Sequence, residues 1–163
     1  MAYASFHAVG QRIGGVVHLS RPRANILPKS PMPNSTVTTI ILAAGRSTRM
    51  KSSTPKALHQ IAGRPMLGHV LATAGCLDNS KTVLVLAPGM DDVARYAKGV
   101  AGNLDIAIQD KPLGTGHAVR AAEGFVPAGE GAVLVIFGDT PLVRSETLSE
   151  MVAACRDEAP VVV

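Results

Sequence analysis

The sequence has few aromatic residues, few cysteines and no long apolar stretch. Trp is absent and aromatic residues make up 3% of the 163 residues, so a surface that stacks on nucleic-acid bases is not expected. Cys76 and Cys155 lack CxxC spacing and are too few for a tetrahedral metal site. We expect them to be reduced thiols in helix cores of a cytoplasmic protein. No apolar run approaches the ~20 residues of a membrane span, so no membrane partner is expected.

Acidic residues are missing from the first 77 residues, which contain nine Lys and Arg side chains. The remaining residues contain seven basic and twelve acidic side chains, so the formal net charge of +4 is unevenly distributed along the chain. Residues 38–163 by themselves balance at twelve charges of each sign. Because this part has no positive excess to neutralise a phosphate backbone, a nucleic-acid partner is not expected.

Residues 1–37 differ from the rest of the chain, because Pro and Gly interrupt them and no periodic apolar pattern develops. We predict a disordered N-terminal extension without function, with Met32 as a candidate for the natural start. An organelle transit peptide and a binding arm remain alternatives, since the segment carries Arg and no acid. The folded domain is predicted to comprise residues 38–163.

From residue 38 onward, apolar runs alternate with amphipathic segments. Strands are predicted at residues 38–43, 82–87, 104–108 and 132–137, with another beginning at 161–163. Helices are predicted at residues 65–77, 90–100, 115–125 and 145–157, the first beginning at Pro65 and the last capped by Ser145. This order predicts an α/β fold in which helices cover both faces of a parallel sheet. Ligands of such sheets bind beyond the carboxyl ends of the strands.

The loop after the first predicted strand has the composition of a phosphate site. Its small residues at 43–45 let backbone N–H groups approach a phosphate, and Arg49 and Lys56 add positive charge. Four cations within residues 46–56, without an acid, favour phosphate binding over a tight turn with solvated charges. The loop matches neither the dinucleotide-binding glycine motif nor the Walker A motif, which disfavours a dehydrogenase and a P-loop NTPase.

The loop after the third predicted strand contains Gln109 and the glycine-rich segment 113–118 (LGTGHA). The Gln109 amide is suited to reading a nucleobase edge, and Gly114 permits a close backbone approach. A helix beginning at Thr115 would direct its positive end toward an anion. The alternative for this segment is simple turn chemistry. His117 is interpreted as a packing or capping residue rather than a general base.

Asp139 directly follows the fourth predicted strand, in the segment 137–142 (FGDTPL). A carboxylate beyond an apolar strand and near a phosphate site suits Mg²⁺, which binds through one or two carboxylates plus phosphate oxygens and waters. The alternative is an Asp that opens a proline turn. Together with the phosphate loop, a metal-binding Asp indicates phosphoryl or nucleotidyl transfer.

These motifs, in this order, resemble the sugar-nucleotide pyrophosphorylases. Segments 42–50, 55–70 and 113–118 are most similar to the uridylyltransferase domain of the bacterial bifunctional N-acetylglucosamine-1-phosphate uridylyltransferase/glucosamine-1-phosphate acetyltransferases, and segment 138–142 supports the match. The resemblance covers about residues 37–163 and implies a three-layer, Rossmann-like nucleotide-diphosphosugar transferase fold. The implied reaction converts UTP and N-acetylglucosamine 1-phosphate to UDP-N-acetylglucosamine and pyrophosphate with Mg²⁺, for peptidoglycan and lipopolysaccharide precursors.

The resemblance also implies roles for individual residues. Arg49 and Lys56 would be the catalytic cations that stabilise the triphosphate and the departing pyrophosphate, and Asp139 would hold Mg²⁺. Substrate contacts are implied for Leu42, Ala43, Ala44 and Gly45 at the nucleotide, Gln109 and Gly114 at uracil, Thr115 on the sugar side, and Lys56, Phe137, Gly138 and Asp139.

Departures from the family pattern bear on activity. Ser47 stands where Gly is common, Phe137 where Tyr is common and Pro112 where Gln is common. The family domain also continues beyond this length with sugar-binding residues and a second Mg²⁺ ligand. We therefore expect a C-terminally truncated, impaired or inactive domain without the acetyltransferase β-helix. Another sugar-phosphate or cofactor nucleotidyltransferase and a non-catalytic nucleotide-binding module are alternatives, and an oligomer of the full-length protein is left open.

Overall fold

Strands and helices alternate along the chain as the sequence pattern predicts. The computed structural model describes residues 36–45, 52, 54–78, 80–128 and 131–155. The elements are, in chain order, β1 (Thr36–Leu42), β2 (Gln60–Ile61), β3 (Arg64–Pro65), α1 (Met66–Ala74), β4 (Ser80–Leu86), α2 (Asp91–Val100), β5 (Leu104–Ile108), α3 (Thr115–Ala121), β6 (Gly131–Phe137) and α4 (Ser145–Ala154). Short 3-10 turns at Lys56–Leu58 and Glu123–Phe125 precede β2 and follow α3.

In the described part of the chain, four parallel strands form the central sheet in the order β5-β4-β1-β6. The chain first adds strands on one side of β1 and then crosses back to place β6 on its other side. This reversal creates a switch point between β1 and β6, where α/β folds bind ligands beyond the carboxyl ends of the strands. The register pairs Leu42 with Phe137, so the loops that follow these two strands begin side by side.

Helices pack on both faces of the sheet at β1 and β4, which explains the apolar runs of these two strands. On one face, Ile41 and Leu84 pack with side chains of α1, α2 and α4. On the other face, Ile40 and Val83 pack with α3 and the turn after it. This arrangement confirms the predicted α/β fold with a parallel sheet between helical layers.

A small antiparallel hairpin, β2 with β3, was not predicted from the sequence. Its two-residue turn consists of Ala62 and Gly63, which have φ angles of 50° and 78°. Positive φ at both positions matches a type I′ turn, which is normally signalled by Asn-Gly or Asp-Gly rather than Ala-Gly. The hairpin also corrects the start of the first helix, because Pro65 belongs to β3 and α1 begins at Met66.

Several predicted boundaries differ from the structure. The prediction that Ser145 caps the last helix is wrong. Ser145 is the first residue of α4, and the N-cap position is occupied by the extended Arg144, whose side chain makes no capping hydrogen bond. The helix predicted at 115–125 ends at Ala121 and continues as a separate 3-10 turn. Cys76 is exposed rather than in a helix core, and Cys155 is half-buried.

Two predictions concern residues outside the described ranges. Residues 1–35 of the extension predicted at 1–37 are among them, together with the proposed start at Met32, and the strand proposed at 161–163 follows the last described residue. These remain predictions. The predicted end of the extension is wrong, because Thr36 and Val37 belong to β1, where pairing with β4 and β6 and burial of Val37 hold them in the sheet. Within the described ranges, none of the helices is both long enough and apolar enough to cross a membrane.

Candidate functional site

A cleft of about 930 Å³ lies at the carboxyl ends of the sheet strands, beside the switch point between β1 and β6. The loops after β1, β5 and β6 all contribute to it, as the sequence predicts. Its lining includes Leu42, Ala43, Ala44, Gly45, Lys56, Gln109, Gly114, Thr115, Phe137, Gly138 and Asp139. Every sequence-predicted site residue that the structure describes therefore lies in one cleft, although their individual roles remain predictions.

The loop after β1 leaves the sheet as a run of small residues. The Ala43 N–H donates to the Val85 carbonyl at 2.9 Å, which extends the pairing of β1 with β4 by one residue into the cleft. Gly45 has open space around its α-carbon, since no atom of the described residues lies within 4 Å of a Cβ placed there. Residues 46–51 and 53, which include Arg49 and Ser47, lie outside the described residues.

Lys56 and Asp139 form an ion pair across the cleft. The Lys56 Nζ donates to Asp139 Oδ2 at 2.5 Å, although the two residues are 83 positions apart in the sequence. Lys56 lies in the 3-10 turn before β2, and Asp139 is the second residue after β6. Both side chains are 39% exposed, so each charge stays accessible to a ligand that enters the cleft.

Gly138 lets the loop after β6 approach the loop after β1 closely. Its N–H donates to the Leu42 carbonyl at 2.9 Å. A Cβ at position 138 would lie 3.0 Å from the Ala43 Cβ and 3.4 Å from the Leu42 carbonyl oxygen. Only glycine fits here without a shift of the neighbouring chain, so this residue fixes the position of Asp139 beside the first loop.

Gln109 is a buried amide at the end of β5, with 7% of its surface exposed. Its backbone N–H donates to the Leu86 carbonyl at 2.8 Å, which anchors the residue to β4. Its side-chain Nε2 donates to the Gly114 carbonyl at 3.1 Å and lies 3.3 Å from Nδ1 of His117. Gly114 itself has a φ of 97°, a conformation that glycine adopts without strain.

The cleft also contains residues that sequence reasoning missed. Ala87 and Pro88 follow β4, and Asp110 and Pro112 continue from Gln109. The available signal was topological, because all carboxyl ends of a parallel sheet share one edge.

The described lining is not basic. Lys56 is its single cation, whereas Asp110 and Asp139 are two acids. The positive charge that the sequence offers for a polyphosphate is concentrated in Arg46, Arg49 and Lys51, which lie outside the described residues. Within the described ranges, no three His, Cys, Asp or Glu side chains form a cluster able to hold a metal ion by themselves.

Similarity to known proteins agrees with this geometry. The family model of the MobA-like NTP transferase domain matches residues 39–163. The chain belongs to this family. The MobA-like domain of this chain is thus a nucleotidyltransferase domain, and its three cleft loops lie within the matched range.

The curated relatives of this MobA-like domain include two proteins named bifunctional protein GlmU. The protein from Parvibaculum lavamentivorans is 56% identical over 124 residues, covering 76% of this chain and 27% of the relative. The protein from Novosphingobium aromaticivorans is 45% identical over 119 residues, covering 73% and 26%. The chain thus spans about a quarter of the length of these relatives.

A solved structure supports the fold. The 4-diphosphocytidyl-2C-methyl-D-erythritol synthase from Anaerococcus prevotii matches with a TM-score of 0.62 and 19% identity, covering 76% of this chain and 52% of that protein. At this identity the likeness concerns the fold alone. It confirms the Rossmann-like fold expected from the sequence.

Proposed function

We propose that the cleft binds UTP with Mg²⁺ and that the domain transfers the uridylyl group to N-acetylglucosamine 1-phosphate. The products would be UDP-N-acetylglucosamine and pyrophosphate, and the nucleotide sugar would serve cell-wall biosynthesis. The observation that carries this proposal is the ion pair between Lys56 and Asp139, which lies in the same cleft as Gln109. A cation, a carboxylate and a base-reading amide in one cleft match a nucleoside triphosphate. The relatives named GlmU support the choice among nucleotidyltransferases.

In the proposed reaction a sugar-phosphate oxygen attacks the α-phosphorus of UTP. A new P–O bond forms as the bond to the bridging α–β oxygen breaks, and the electron pair leaves with pyrophosphate. No covalent enzyme intermediate is needed, so positioning and charge neutralisation would supply the acceleration. Lys56 would neutralise phosphate charge, Gln109 and Gly114 would hold the uracil, and Thr115 would face the sugar side.

The residues present fit Mg²⁺. Asp139 offers one accessible carboxylate and already has the cationic Lys56 ammonium against it. Mg²⁺ commonly uses one or two carboxylates together with substrate phosphates and retained waters, so a site without a cluster of three ligands suits it. When bound, the ion would neutralise phosphate charge beside Asp139.

Nucleotide titration tests the proposal. We expect the 163-residue chain to bind UTP more tightly than CTP, GTP or dTTP in the presence of Mg²⁺, as measured by calorimetry. Tighter binding of CTP, GTP or dTTP would contradict the uridylyl assignment. Pyrophosphate release from UTP with N-acetylglucosamine 1-phosphate, compared with glucose 1-phosphate, tests the proposed acceptor.

Asp139→Asn tests the metal role. The substitution keeps the side-chain shape but removes the charge, so the gain in UTP affinity on adding Mg²⁺ should fall by about tenfold. Asp105→Asn is a matched control, because Asp105 forms a similarly exposed ion pair with Lys81 at 2.9 Å. The control should keep the full Mg²⁺ effect. An unchanged Mg²⁺ effect in Asp139→Asn would show that Asp139 does not hold the metal ion.

A further inference from the structure

His117 lies in the first turn of α3 and contacts a cleft residue without lining the cleft itself. Its Nδ1 is 3.3 Å from Nε2 of Gln109, and the imidazole is half-buried. Sequence reasoning gave it a packing or capping role. Its contact with the one buried amide of the cleft indicates a more specific role.

The Gly114 carbonyl determines the orientation of the Gln109 amide. A carbonyl oxygen only accepts hydrogen bonds, so the amide atom 3.1 Å from it must be the NH₂ nitrogen. Rotation of the amide by half a turn would place Oε1 against the Gly114 oxygen, and two acceptors would repel each other. The structure therefore assigns the nitrogen to the Gly114 side.

The orientation of the amide in turn determines the tautomer of His117. Because the same Gln109 nitrogen is the donor, Nδ1 of His117 must accept, and the neutral ring carries its proton on Nε2. Both amide hydrogens of Gln109 then have partners. The Oε1 atom receives no hydrogen bond from the described residues, so it is available as an acceptor to a ligand in the cleft.

We propose that His117 is a positioning residue that acts with the Gly114 carbonyl, so that two acceptors rather than one hold the Gln109 amide with Oε1 free to accept from a base with a ring N–H. The inference rests on the proposed function. Uracil offers a donor at N3, whereas N3 of cytosine is an acceptor and would meet the Gln109 oxygen unfavourably. A neutral His117 with an unprotonated Nδ1 thus favours uridine over cytidine nucleotides without touching the base.

Substitutions at His117 test this role through base preference. His117→Leu removes the acceptor, and we expect the ratio of CTP to UTP dissociation constants to fall about five- to tenfold, the loss typical of one hydrogen bond. In His117→Asn, a side-chain oxygen replaces Nδ1, and this variant should recover most of the preference. Arg120→Ala, an exposed change on the same helix, should leave the ratio unchanged.

Two outcomes separate this inference from the proposed function. A preference for UTP that stays intact in His117→Leu would overturn the positioning role while leaving the proposed function standing. Equal affinities for UTP and CTP in the unsubstituted chain would contradict the proposed function instead.

Nitrogen-15 NMR of the imidazole tests the contact independently of any nucleotide. We expect the Nε2–H tautomer in the unsubstituted chain and a shifted Gln109 side-chain NH₂ signal in His117→Leu. A ring protonated at Nδ1, or an unshifted Gln109 signal, would overturn the inference even where no nucleotide binds.

Discussion

At residue 138 the chain has no room for a side chain. The Cβ of an alanine there would lie 3.0 Å from the Ala43 Cβ, at the point where β1 and β6 end side by side. We expect Gly138→Ala to lower the free energy of unfolding by about 1–3 kcal/mol, because forcing a methyl group into a packed site displaces backbone. Urea denaturation measures this loss.

In Gly138→Ala, the backbone shift at residue 138 would also change the cleft nearby. The shift would move Asp139 away from Lys56 and weaken the proposed UTP binding. Gly45→Ala is the control for stability, since no atom lies within 4 Å of its Cβ position and its φ is not in the left-handed region. A Gly138→Ala chain as stable as the unsubstituted chain would show that the two loops tolerate separation.

At the scale of secondary-structure elements, the close packing of α1 against α2 depends on the glycine at position 68. A Cβ at this position would overlap the Tyr96 hydroxyl oxygen and lie 2.9 Å from Nε of Arg64. Alanine normally gains about 1 kcal/mol over glycine within a helix. Here we expect Gly68→Ala to gain less than this, because the Tyr96 hydroxyl and the end of the Arg64 side chain must move away from the new methyl group.

A double-mutant cycle identifies the cause. Tyr96→Phe removes the overlapping oxygen, so Gly68→Ala should gain more stability in the Tyr96→Phe background than in the unsubstituted chain, as measured by urea denaturation. Gly99→Ala in α2, where no atom lies within 4 Å of the Cβ position, should be neutral or stabilising. Additive effects of the Gly68 and Tyr96 substitutions would contradict direct contact.

For the molecule as a whole, β6 is the outermost strand of the described sheet on the side of the switch point. None of its residues is charged. On one of its sides, the exposed fractions of Val133, Val135 and Phe137 are 46%, 38% and 47%. Apolar edge strands without charge promote association between chains. We therefore expect Val133→Lys to reduce self-association of the 163-residue chain at high concentration.

Sedimentation velocity measures this association. The unfolding midpoint should change little, because Val133 is half-exposed in the native state. A charge on α2, introduced as Val100→Lys at a comparably exposed position (48%), is the matched control and should leave association unchanged. Equal reduction by both substitutions would point to net charge rather than to the β6 edge.

The sequence by itself determined the order of strands and helices and the loops that carry the site. Apolar runs such as 104–108 are local signals, and in a parallel sheet the carboxyl ends meet at one edge, so Gln109 and Asp139 both line the cleft at that edge while their roles stay predictions. The hairpin at Ala62-Gly63 was missed because its turn lacks the usual Asn or Asp, and β2 and β3 are two residues each.

Tertiary structure decided which of these residues touch. The pairing of Lys56 with Asp139, across 83 residues, depends on β6 lying beside β1 rather than beside β5, and no local pattern encodes that order. The closeness of the Gly138 backbone to Ala43 depends on the same register. The tautomer proposed for His117 depends on a carbonyl and an amide brought together by the turn at Gly114. The sequence supplied the side chains that line the cleft, and packing between residues far apart in the sequence determined which of them are in contact.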